Sequence, residues 1–383
     1  MKRLENILIL IVTMIALLIW AGVAWSASRF WTAPLGPAIQ LRTATGTHTP
    51  APSPGAPPRQ VAQPSPSPLE PTPTVKIAPS IAHCGGPDTM TILAIGSDTR
   101  AQNYLYGLAD VIRLVRVDFI TPRVTILEFP RDLWVAIPDL DPKHKITHEK
   151  LNQAYLYGNP GFGYYNGPGE GPTLLARTLD LNFGAQPEAY IAINMYTFAK
   201  LVNAIGGIDV TLPYPVDGRK ADQASRRDLY FKAGTHHLDG ASALTLARLR
   251  IGTNTDRSAN QSRILCGLRA ALLDPYNLSR LPQIIDSFDQ AVQTDLSPEK
   301  ISQLACLAPL IEPQNIIFAS FPENLLTAGR IYDPEFKKEV FIWKADYNTL
   351  RDYVNAFNTG LWPQIIPQLA TPSTNPQPAF TCP

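Results

Sequence analysis

The strongest constraint on this chain is an uncharged apolar run near its N-terminus, ILILIVTMIALLIWAGVAW, which extends from Ile7 to Trp25. As a helix, these 19 residues span roughly 28 Å, close to the hydrocarbon core of a bilayer, about 30 Å thick. Lys2 and Arg3 precede the run, and basic residues favour the cytoplasmic side of a membrane. The sequence therefore predicts a cytoplasmic stub (residues 1–6), a single transmembrane anchor (residues 7–25) and an extracytoplasmic remainder.

A cleaved signal peptide is the alternative interpretation of this run, because the small residues of AWSAS follow it. The apolar region of a signal peptide is about 7–15 residues long, which is shorter than the run found here. This difference favours an uncleaved signal-anchor, which would hold the chain in the cell membrane.

The segment that follows is rich in proline. Residues 33–80 contain 13 prolines together with Ser, Thr, Ala and Gln, a composition that buries too little apolar surface to offset its ordering entropy. We expect residues 26–87 to form an extracytoplasmic linker that lifts a globular domain off the membrane. A second Pro-rich stretch begins near Thr371, so we assign residues 88–325 to the domain and residues 326–383 to a C-terminal extension and tail.

Four cysteines, Cys84, Cys266, Cys306 and Cys382, are distributed along the extracytoplasmic part of the chain. None belongs to a CxxC motif or pairs with a histidine at zinc-ligand spacing, so we do not expect a structural zinc site. Disulfides are possible outside the cytoplasm. The sequence leaves all three pairings open, and it also leaves open that the cysteines are free and buried.

From Met90 onward, strand-like and helix-like patterns alternate. MTILAI predicts a buried strand, and DVIRLVRVDF, ITPR and VTILEFP together predict a hairpin. Helical spacing or capping residues occur in PTLLARTLDLNFG, MYTFAKLVNAIGG, LDGASALTLAR and NQSRILCGLRAALL. This mixture predicts an α/β fold, a three-layer α/β/α sandwich around a mixed β-sheet.

Charged residues follow or begin the predicted strands. Asp98 and Arg100 come directly after the first strand, where open α/β sheets commonly bind ligands. Asp110 begins the second strand, and Arg131 and Asp132 follow the third. These loops are therefore candidate parts of a binding site.

The stretch LARLRIGTNTDR adds three arginines, Arg248, Arg250 and Arg257. In an extended segment Arg248 and Arg250 share a face, and we expect them to form one such extended pair. In a helix that starts near Asp256, Arg257 and Gln261 continue the stripe of Ile264, Leu265, Leu268 and Leu272 at i, i+4, i+7 and i+8 spacing. The first turns of a helix also favour an anion, so this stretch is a second candidate anion site.

The chemistry of these residues fits phosphate better than side-chain nucleophilic catalysis. The chain has no plausible Ser-His-Asp elbow, Walker loop or GxGxxG motif. Arginine forks bind phosphate oxygens bidentately, and carboxylates hold magnesium. The alternative is that each Arg-Asp pair is a surface or structural ion pair without a role in binding. Because the net charge is only +1, we expect no nucleic-acid partner.

The order of these motifs resembles that of the LytR-CpsA-Psr family of bacterial cell-envelope proteins. The matching segments are TILAIGSDTR, ADVIRLVRVDFITPRVTILEFPRDLWVAIP, KLNQAYLYG, FAKLVNAIGGIDVTLP, YFKAGTHHLDGASALTLARLR and the helix with Gln261. The resemblance implies an α/β/α sandwich that transfers a glycopolymer from a polyprenyl-pyrophosphate lipid carrier onto peptidoglycan and releases polyprenyl phosphate. It also implies a role in cell wall biogenesis and an apolar pocket for the lipid.

Carried over residue by residue, the resemblance implies a pyrophosphate-binding set of Arg100, Arg131, Arg248, Arg250, Arg257 and Gln261. It implies catalytic roles for Arg131, Arg248, Arg250 and Asp110. Asp98 and Asp110 would bind a magnesium ion or position the acceptor hydroxyl.

Two departures from the family pattern affect this set. The family's Gly-Arg-Ser-Asp corresponds here to a segment with Leu108 in place of the arginine, and Asn260 replaces the second arginine of the Arg-x-x-Arg-Gln motif. Each lost charge-assisted hydrogen bond weakens binding by roughly 1.5–3 kcal/mol. Arg113 or Arg263 is a candidate to compensate.

These departures leave alternatives to transfer. A pyrophosphatase would use water as the acceptor for the same lipid, and a non-catalytic binder would hold prenyl lipid or glycan without turnover. Transcriptional control is opposed by the predicted topology, which places the domain across the membrane from DNA.

Overall fold

The computed structural model describes residues 34–41, 81–99, 107–219, 229–249, 254–277, 292–333, 335, 337–363 and 379–383. The predicted stub and transmembrane anchor, residues 1–25, lie outside these ranges, as do Arg100 and Arg250. In the described ranges, no helix combines the length and the apolarity needed to cross a membrane.

The described residues contain both strands and helices. The strands are β1 (Thr89–Ser97), β2 (Ala109–Asp118), β3 (Arg123–Glu128), β4 (Trp134–Ala136), β5 (His148–Lys150), β6 (Ala189–Asn194), β7 (Ile208–Leu212), β8 (Val216–Asp217), β9 (Tyr230–Phe231), β10 (Gly234–Leu238), β11 (Val292–Thr294), β12 (Ile316–Ser320), β13 (Thr327–Asp333), β14 (Lys338–Lys344) and β15 (Ala379–Thr381). The α-helices are α1 (Leu151–Tyr157), α2 (Glu170–Phe183), α3 (Met195–Ala204), α4 (Gly240–Arg248), α5 (Asn254–Leu272), α6 (Pro298–Leu307) and α7 (Tyr347–Asn358).

A mixed sheet organises the described part of the domain. Its strand order is β11-β6-β1-β2-β3-β12-β15. The pairs β1 with β6 and β3 with β12 are parallel, whereas the remaining neighbours are antiparallel. The predicted hairpin is confirmed, because β2 and β3 pair directly.

Alternate residues of the central strands face opposite sides of the sheet. Leu93, Leu114 and Leu127 pack on one side with residues of helices α1, α2 and α7. Ile92 and Val117 face the other side and pack with residues of α5 and α6. Helices therefore cover both faces of a mixed sheet, and the predicted α/β fold class is confirmed.

The predicted helix ends follow their capping residues. Asp239 accepts a hydrogen bond from the Ser242 backbone N–H at 2.8 Å and begins α4. Gly184 ends α2 with a φ of 70°, a conformation that a side chain disfavours. Helix α5 begins at Asn254, two residues before the predicted start near Asp256.

A second apolar cluster lies beyond the main sheet. Strands β7 and β10 form an antiparallel hairpin. Buried residues of this hairpin, among them Ile208 and Val210, pack with Val202 of α3, Leu246 of α4 and Ile264 of α5. The cluster fixes these three helices relative to each other, so that they can form one wall of a cavity.

Two disulfides join distant parts of the chain. Cys84 bonds to Cys306 of α6, and Cys266 of α5 bonds to Cys382, which follows β15. The disulfides that the sequence allowed are therefore formed, in one of the three possible pairings.

Part of the predicted linker contacts the domain. The backbone N–H of Ile39 donates to the Asp295 carboxylate at 2.9 Å, and the N–H of Gln40 donates to the Thr173 hydroxyl at 3.1 Å. Arg177 of α2 donates in turn to the Gln40 carbonyl at 2.7 Å. Residues 34–41 thus lie along the domain surface between α2 and the β11 end of the sheet.

The predicted C-terminal extension also packs on the domain. Strands β13 and β14 form a hairpin, and Leu350, Val354 and Phe357 of α7 are fully buried in the core shared with α2. These contacts continue the hydrophobic core beyond residue 325.

Candidate functional site

A cavity of about 460 Å³ lies between the sheet and helices α3, α4 and α5. Its walls are mainly apolar, with Ile191 and Ile193 from β6, Phe198 from α3, Leu244 from α4, and Ile264 and Leu265 from α5. Polar and charged side chains from both layers reach the same cavity: Asp110, Arg113, Arg248, Arg257 and Gln261. Such a combination suits a ligand with an apolar part and an anionic part.

A β-bulge places Asp110 at this cavity. Ser97 pairs with Ala109 and Gly96 pairs with Val111, so Asp110 is an extra residue in strand β2. The bulge lets Asp110 and Val111 both line the cavity, although consecutive strand residues normally face opposite sides. Sequence patterns alone did not predict this irregularity.

Asp98 lies directly after β1 and is held by the backbone of Leu108. Its Oδ1 accepts the Leu108 N–H at 2.7 Å, and its own N–H donates to the Leu108 carbonyl at 2.9 Å. Burial raises the pKa of the Asp98 carboxyl, the Leu108 N–H opposes that shift, and the nearby charge of Asp110 adds to it. Asp98 and Asp110 are therefore electrostatic neighbours.

Arg131 connects the second and third strands. Its Nη1 donates to the Asp110 carboxylate, and its Nε donates to Asp132 at 3.3 Å. Lys150 also pairs with Asp132, at 3.0 Å. The side chain of Arg131 is 14% exposed, so this ion-pair chain is largely shielded from water. The predicted Arg131, Asp110 and Asp132 thus come together in one network.

Arg257 and Gln261 lie on the cavity side of α5, as their spacing predicted. Burial lowers the pKa of Arg257, and the positive charge of Arg131 lowers it further. Gln261 accepts a hydrogen bond from Arg113 at 3.3 Å and donates to the Ala247 carbonyl of α4 at 3.1 Å. The helix therefore brings a second guanidinium close to Arg131.

Arg248 also lines the cavity, but its backbone differs from the prediction. It is the last residue of helix α4, so the expectation that Arg248 lies in an extended segment is wrong. The cap at Asp239 starts a helix whose hydrogen bonds continue to the N–H of Leu249, which donates to Thr245. The chain becomes extended only at Leu249. Arg100 and Arg250 fall outside the described residues, so their predicted roles stay predictions.

Of the two arginines considered as compensation for Asn260, only Arg113 lines the cavity. Arg263 donates to the Asn260 side chain at 3.2 Å, and its guanidinium lies over the rings of Tyr214 and Phe380. Asn260 itself is buried, with 3% of its surface exposed. Helix α5 therefore directs this pair of side chains away from the cavity.

The structure adds two residues that were not predicted from the sequence, Glu128 and Ser258. Glu128 of β3 pairs with Arg113 at 2.9 Å, and the Ser258 hydroxyl also donates to its carboxylate. The available signal was the pair of opposite charges in the two strands of the predicted hairpin, because such charges need partners where they are buried.

Asp98 and Asp110 fit a magnesium ion that also binds phosphate. Among the described residues, no group of three or more histidine, cysteine, aspartate or glutamate side chains is arranged to hold a metal. Magnesium is often bound by one or two carboxylates, with substrate phosphate and water completing its coordination. Burial is the main cause of the raised pKa of Asp98, and the charge of Asp110 adds to it, so a cation would stabilise both carboxylates.

Comparison with known proteins places this arrangement in a family. The model of the LytR_cpsA_psr family matches residues 68–346. The chain belongs to this family. The match includes β1, β2 with its bulge, β6 and helices α3, α4 and α5, which together form the cavity.

Two curated relatives show the extent of this similarity within the LytR_cpsA_psr family. The first is "Polyisoprenyl-teichoic acid--peptidoglycan teichoic acid transferase TagU" of Oceanobacillus iheyensis, which is 29% identical over 220 residues, or 57% of this chain and 62% of the relative. The second is "Polyisoprenyl-teichoic acid--peptidoglycan teichoic acid transferase TagV" of Bacillus subtilis, which is 28% identical over 210 residues, or 54% of this chain and 49% of the relative. The chain thus spans about half to three fifths of the length of these relatives.

A solved structure supports the fold. The crystal structure of B. subtilis TagV superposes with a TM-score of 0.54 at 21% identity, covering 72% of this chain and 97% of that chain. At this identity the similarity shows the shared architecture alone.

Proposed function

We propose that this chain is a membrane-anchored phosphotransferase that moves a glycopolymer from a polyprenyl-pyrophosphate carrier onto peptidoglycan and releases polyprenyl phosphate. The predicted anchor, residues 7–25, would hold the domain on the outer side of the cell membrane, where both substrates are found. The proposed cofactor is magnesium.

One observation carries this proposal. The same cavity is lined by apolar side chains of the sheet and helices and by Arg248, Arg257 and Asp110. A prenyl chain needs an apolar cavity, whereas a pyrophosphate needs cations with multiple N–H donors. The names of the two curated relatives, which describe transfer from a polyisoprenyl carrier to peptidoglycan, support the same substrate classes.

The arginines would bind and orient the pyrophosphate. Arg257 is partly desolvated, so its interaction with an anion is less screened by water than that of an exposed arginine. Arg131 already has two carboxylate partners and would share its remaining N–H groups with a phosphate oxygen. Arg248 and Gln261 reach the cavity from α4 and α5. Together they would stabilise the charge that builds on the leaving phosphate.

The transfer itself would form one bond and break one bond. A hydroxyl of peptidoglycan attacks the phosphorus that carries the glycan, and the bond from that phosphorus to the bridging oxygen breaks. The bridging oxygen leaves with polyprenyl phosphate. The proton of the attacking hydroxyl would leave to solvent water. A magnesium ion held by Asp98 and Asp110 would neutralise phosphate charge.

The test is a transfer assay with the full chain purified in detergent. A carrier-linked glycan, magnesium and peptidoglycan fragments are incubated, and the glycan bound to peptidoglycan is measured by mass spectrometry. We expect transfer that needs both the acceptor and magnesium. As a control, Arg219→Ala is expected to transfer glycan as the wild-type chain does, because Arg219 is exposed and pairs with Asp217 outside the cavity.

The assay separates three activities. Release of polyprenyl phosphate without acceptor, at the same rate as with it, would identify a pyrophosphatase. Binding of the carrier lipid without any product would identify a non-catalytic receptor. Either outcome would contradict the proposed transfer.

A further inference from the structure

Arg113 is a buried cation at the cavity that the proposed site does not use. It lies in the middle of strand β2, with 2% of its surface exposed, and its side chain lines the cavity together with Ile191 and Ile264. A buried guanidinium is costly unless its N–H groups find acceptors, so its surroundings reveal what it is arranged to bind.

One nitrogen of Arg113 makes both of its polar contacts among the described residues. Its Nη2 donates to Glu128 at 2.9 Å and to Gln261 at 3.3 Å. The Nε and Nη1 atoms are buried, and no acceptor among the described residues bonds to them. Since Nε carries one hydrogen and Nη1 carries two, three N–H groups of this cavity-lining residue have no acceptor among the described residues.

A network fixes the position of this guanidinium. Glu128 also accepts a hydrogen bond from Ser258 of α5, and the Arg113 guanidinium lies 5.6 Å from the centre of the Phe318 ring. Gln261 extends the network to the Ala247 carbonyl of α4. Arg113 is therefore held from the sheet and from both helices, with one edge kept free of these contacts.

The neighbours of that edge indicate its ligand. Arg248, Arg257 and Gln261 line the same cavity, so an anion bound there meets several donors at once. Glu128 is the single carboxylate that pairs with Arg113 in the described structure, and it bonds to Nη2 alone, so Nε and Nη1 have no anionic partner there. Phosphate oxygens match a guanidinium edge bidentately.

We propose that Arg113 is a further substrate-binding residue, whose Nε and Nη1 donate to phosphate oxygens of the prenyl-pyrophosphate ligand. Glu128 and Gln261 hold its guanidinium in the orientation that this contact requires. This inference rests on the proposed function, and it adds to that function a charged contact from within the sheet.

The experiment compares a charged and a neutral lipid of the same length. The full chain in detergent is titrated with geranylgeranyl pyrophosphate and, separately, with geranylgeraniol. The variants are Arg113→Gln and the double variant Arg113→Gln/Glu128→Gln, which removes the buried pair together and so avoids an unpaired buried carboxylate. The matched control is Arg116→Gln on the same strand, because Arg116 contacts Asp118 and Asn358 and not the cavity.

For both Arg113 variants, we expect the affinity for the pyrophosphate to fall at least about tenfold, the effect of losing one charge-assisted hydrogen bond. The affinity for geranylgeraniol stays within about twofold, because the apolar walls are unchanged. With the transfer substrate, KM rises while kcat changes less, since a contact made before reaction acts mainly on binding. Arg116→Gln behaves as the wild-type chain in all three measurements.

Each contrary outcome has a definite meaning. Unchanged pyrophosphate affinity in the double variant overturns the inference, and so does an equal loss for both lipids, which would show a structural role. If the wild-type chain binds the pyrophosphate through Arg113 but transfers no glycan, the proposed function fails and the assignment of Arg113 stands. If the wild-type chain binds no prenyl pyrophosphate, both fail.

Discussion

Arg131 donates from Nη1 to the carboxylate of Asp110, the bulged residue of strand β2. The two residues are 21 positions apart in sequence and meet because β3 returns antiparallel to β2, which brings the loop after β3 beside the start of β2. This pair couples the arginine expected to bind pyrophosphate to a carboxylate expected to bind magnesium. A substitution of either residue therefore removes an ion-pair partner of the other.

The first prediction concerns this pair. Arg131→Ala removes a phosphate-binding fork and leaves Asp110 without its partner, so kcat/KM for transfer falls by about 10- to 150-fold, equivalent to 1.5–3 kcal/mol. Arg131→Lys keeps the charge but loses the bidentate geometry, so its activity lies between that of the wild-type chain and that of Arg131→Ala. Transfer rates of the full chain measure both effects. Wild-type activity in Arg131→Ala would show that Arg131 serves only the ion-pair network.

The second prediction uses the two disulfides as matched pairs. Replacing Cys266 and Cys382 by alanine lowers the free energy of unfolding by about 2–5 kcal/mol. Replacing Cys84 and Cys306 by alanine lowers it by an amount in the same range. Only the first replacement also weakens prenyl-pyrophosphate binding, because Cys266 lies on α5, which supplies Arg257 and Gln261. Thermal unfolding and lipid titration distinguish these effects.

This comparison tests whether the Cys266–Cys382 disulfide holds the cavity wall or only stabilises the fold. If both double variants bind the lipid as the wild-type chain does, the bond stabilises the fold without holding the cavity wall. If both weaken binding equally, the loss reflects general destabilisation instead of the position of α5.

Local sequence patterns predicted the elements that depend on near neighbours. Asp239 and Gly184 marked helix ends because capping involves residues only a few positions apart. Arg257 and Gln261 were placed on the cavity side because helical spacing is fixed at 3.6 residues per turn. Their roles in pyrophosphate binding stay predictions.

The features that the sequence did not predict depend on distant contacts. Strand register pairs Arg113 with Glu128, and register follows from turn geometry as well as from side-chain pattern. The bulge at Asp110 has no residue signature that distinguishes it from a regular strand. The partners of Cys266 and Cys84 were likewise open, because cysteine spacing does not determine pairing.

The third prediction concerns pH and Glu149. Burial raises the pKa of this carboxyl from 4.5 to about 7, and the nearby charge of Asp333 adds to the shift. A raised folded-state pKa means that the protonated carboxyl favours folding. This stabilisation is fully present below about pH 4.5 and is lost as the pH rises through about 7.

Glu149→Gln removes this dependence, since an amide stays neutral and can still accept from the Lys150 N–H. We expect the variant to gain stability relative to the wild-type chain as the pH rises, with most of the change between pH 4.5 and about 7. Thermal unfolding across this range measures the difference. The control is Glu339→Gln at an exposed position of β14. A constant difference at all pH values would rule out titration of Glu149.

The fourth prediction concerns the contact between residues 34–41 and the domain. Asp295 bridges the two, because its Oδ2 accepts the Ile39 N–H at 2.9 Å and its Oδ1 accepts the Tyr190 N–H at 2.7 Å. Asp295→Ala removes both acceptors, so the backbone amides of residues 39 and 40 exchange faster with deuterium. Hydrogen-exchange mass spectrometry of the full chain measures this change.

Glu188→Ala is the matched control for this substitution. Glu188 is also a carboxylate that accepts a backbone N–H, from Thr91 at 3.1 Å, and this hydrogen bond does not involve residues 34–41. We expect normal protection of residues 39 and 40 in that variant.

If these two amides are protected in Asp295→Ala as in the wild-type chain, Thr173 and Arg177 hold the segment without Asp295. Loss of protection in both variants would point to a general weakening of this edge of the sheet. Only a loss confined to Asp295→Ala shows that this carboxylate fastens the segment that follows the predicted anchor onto the domain.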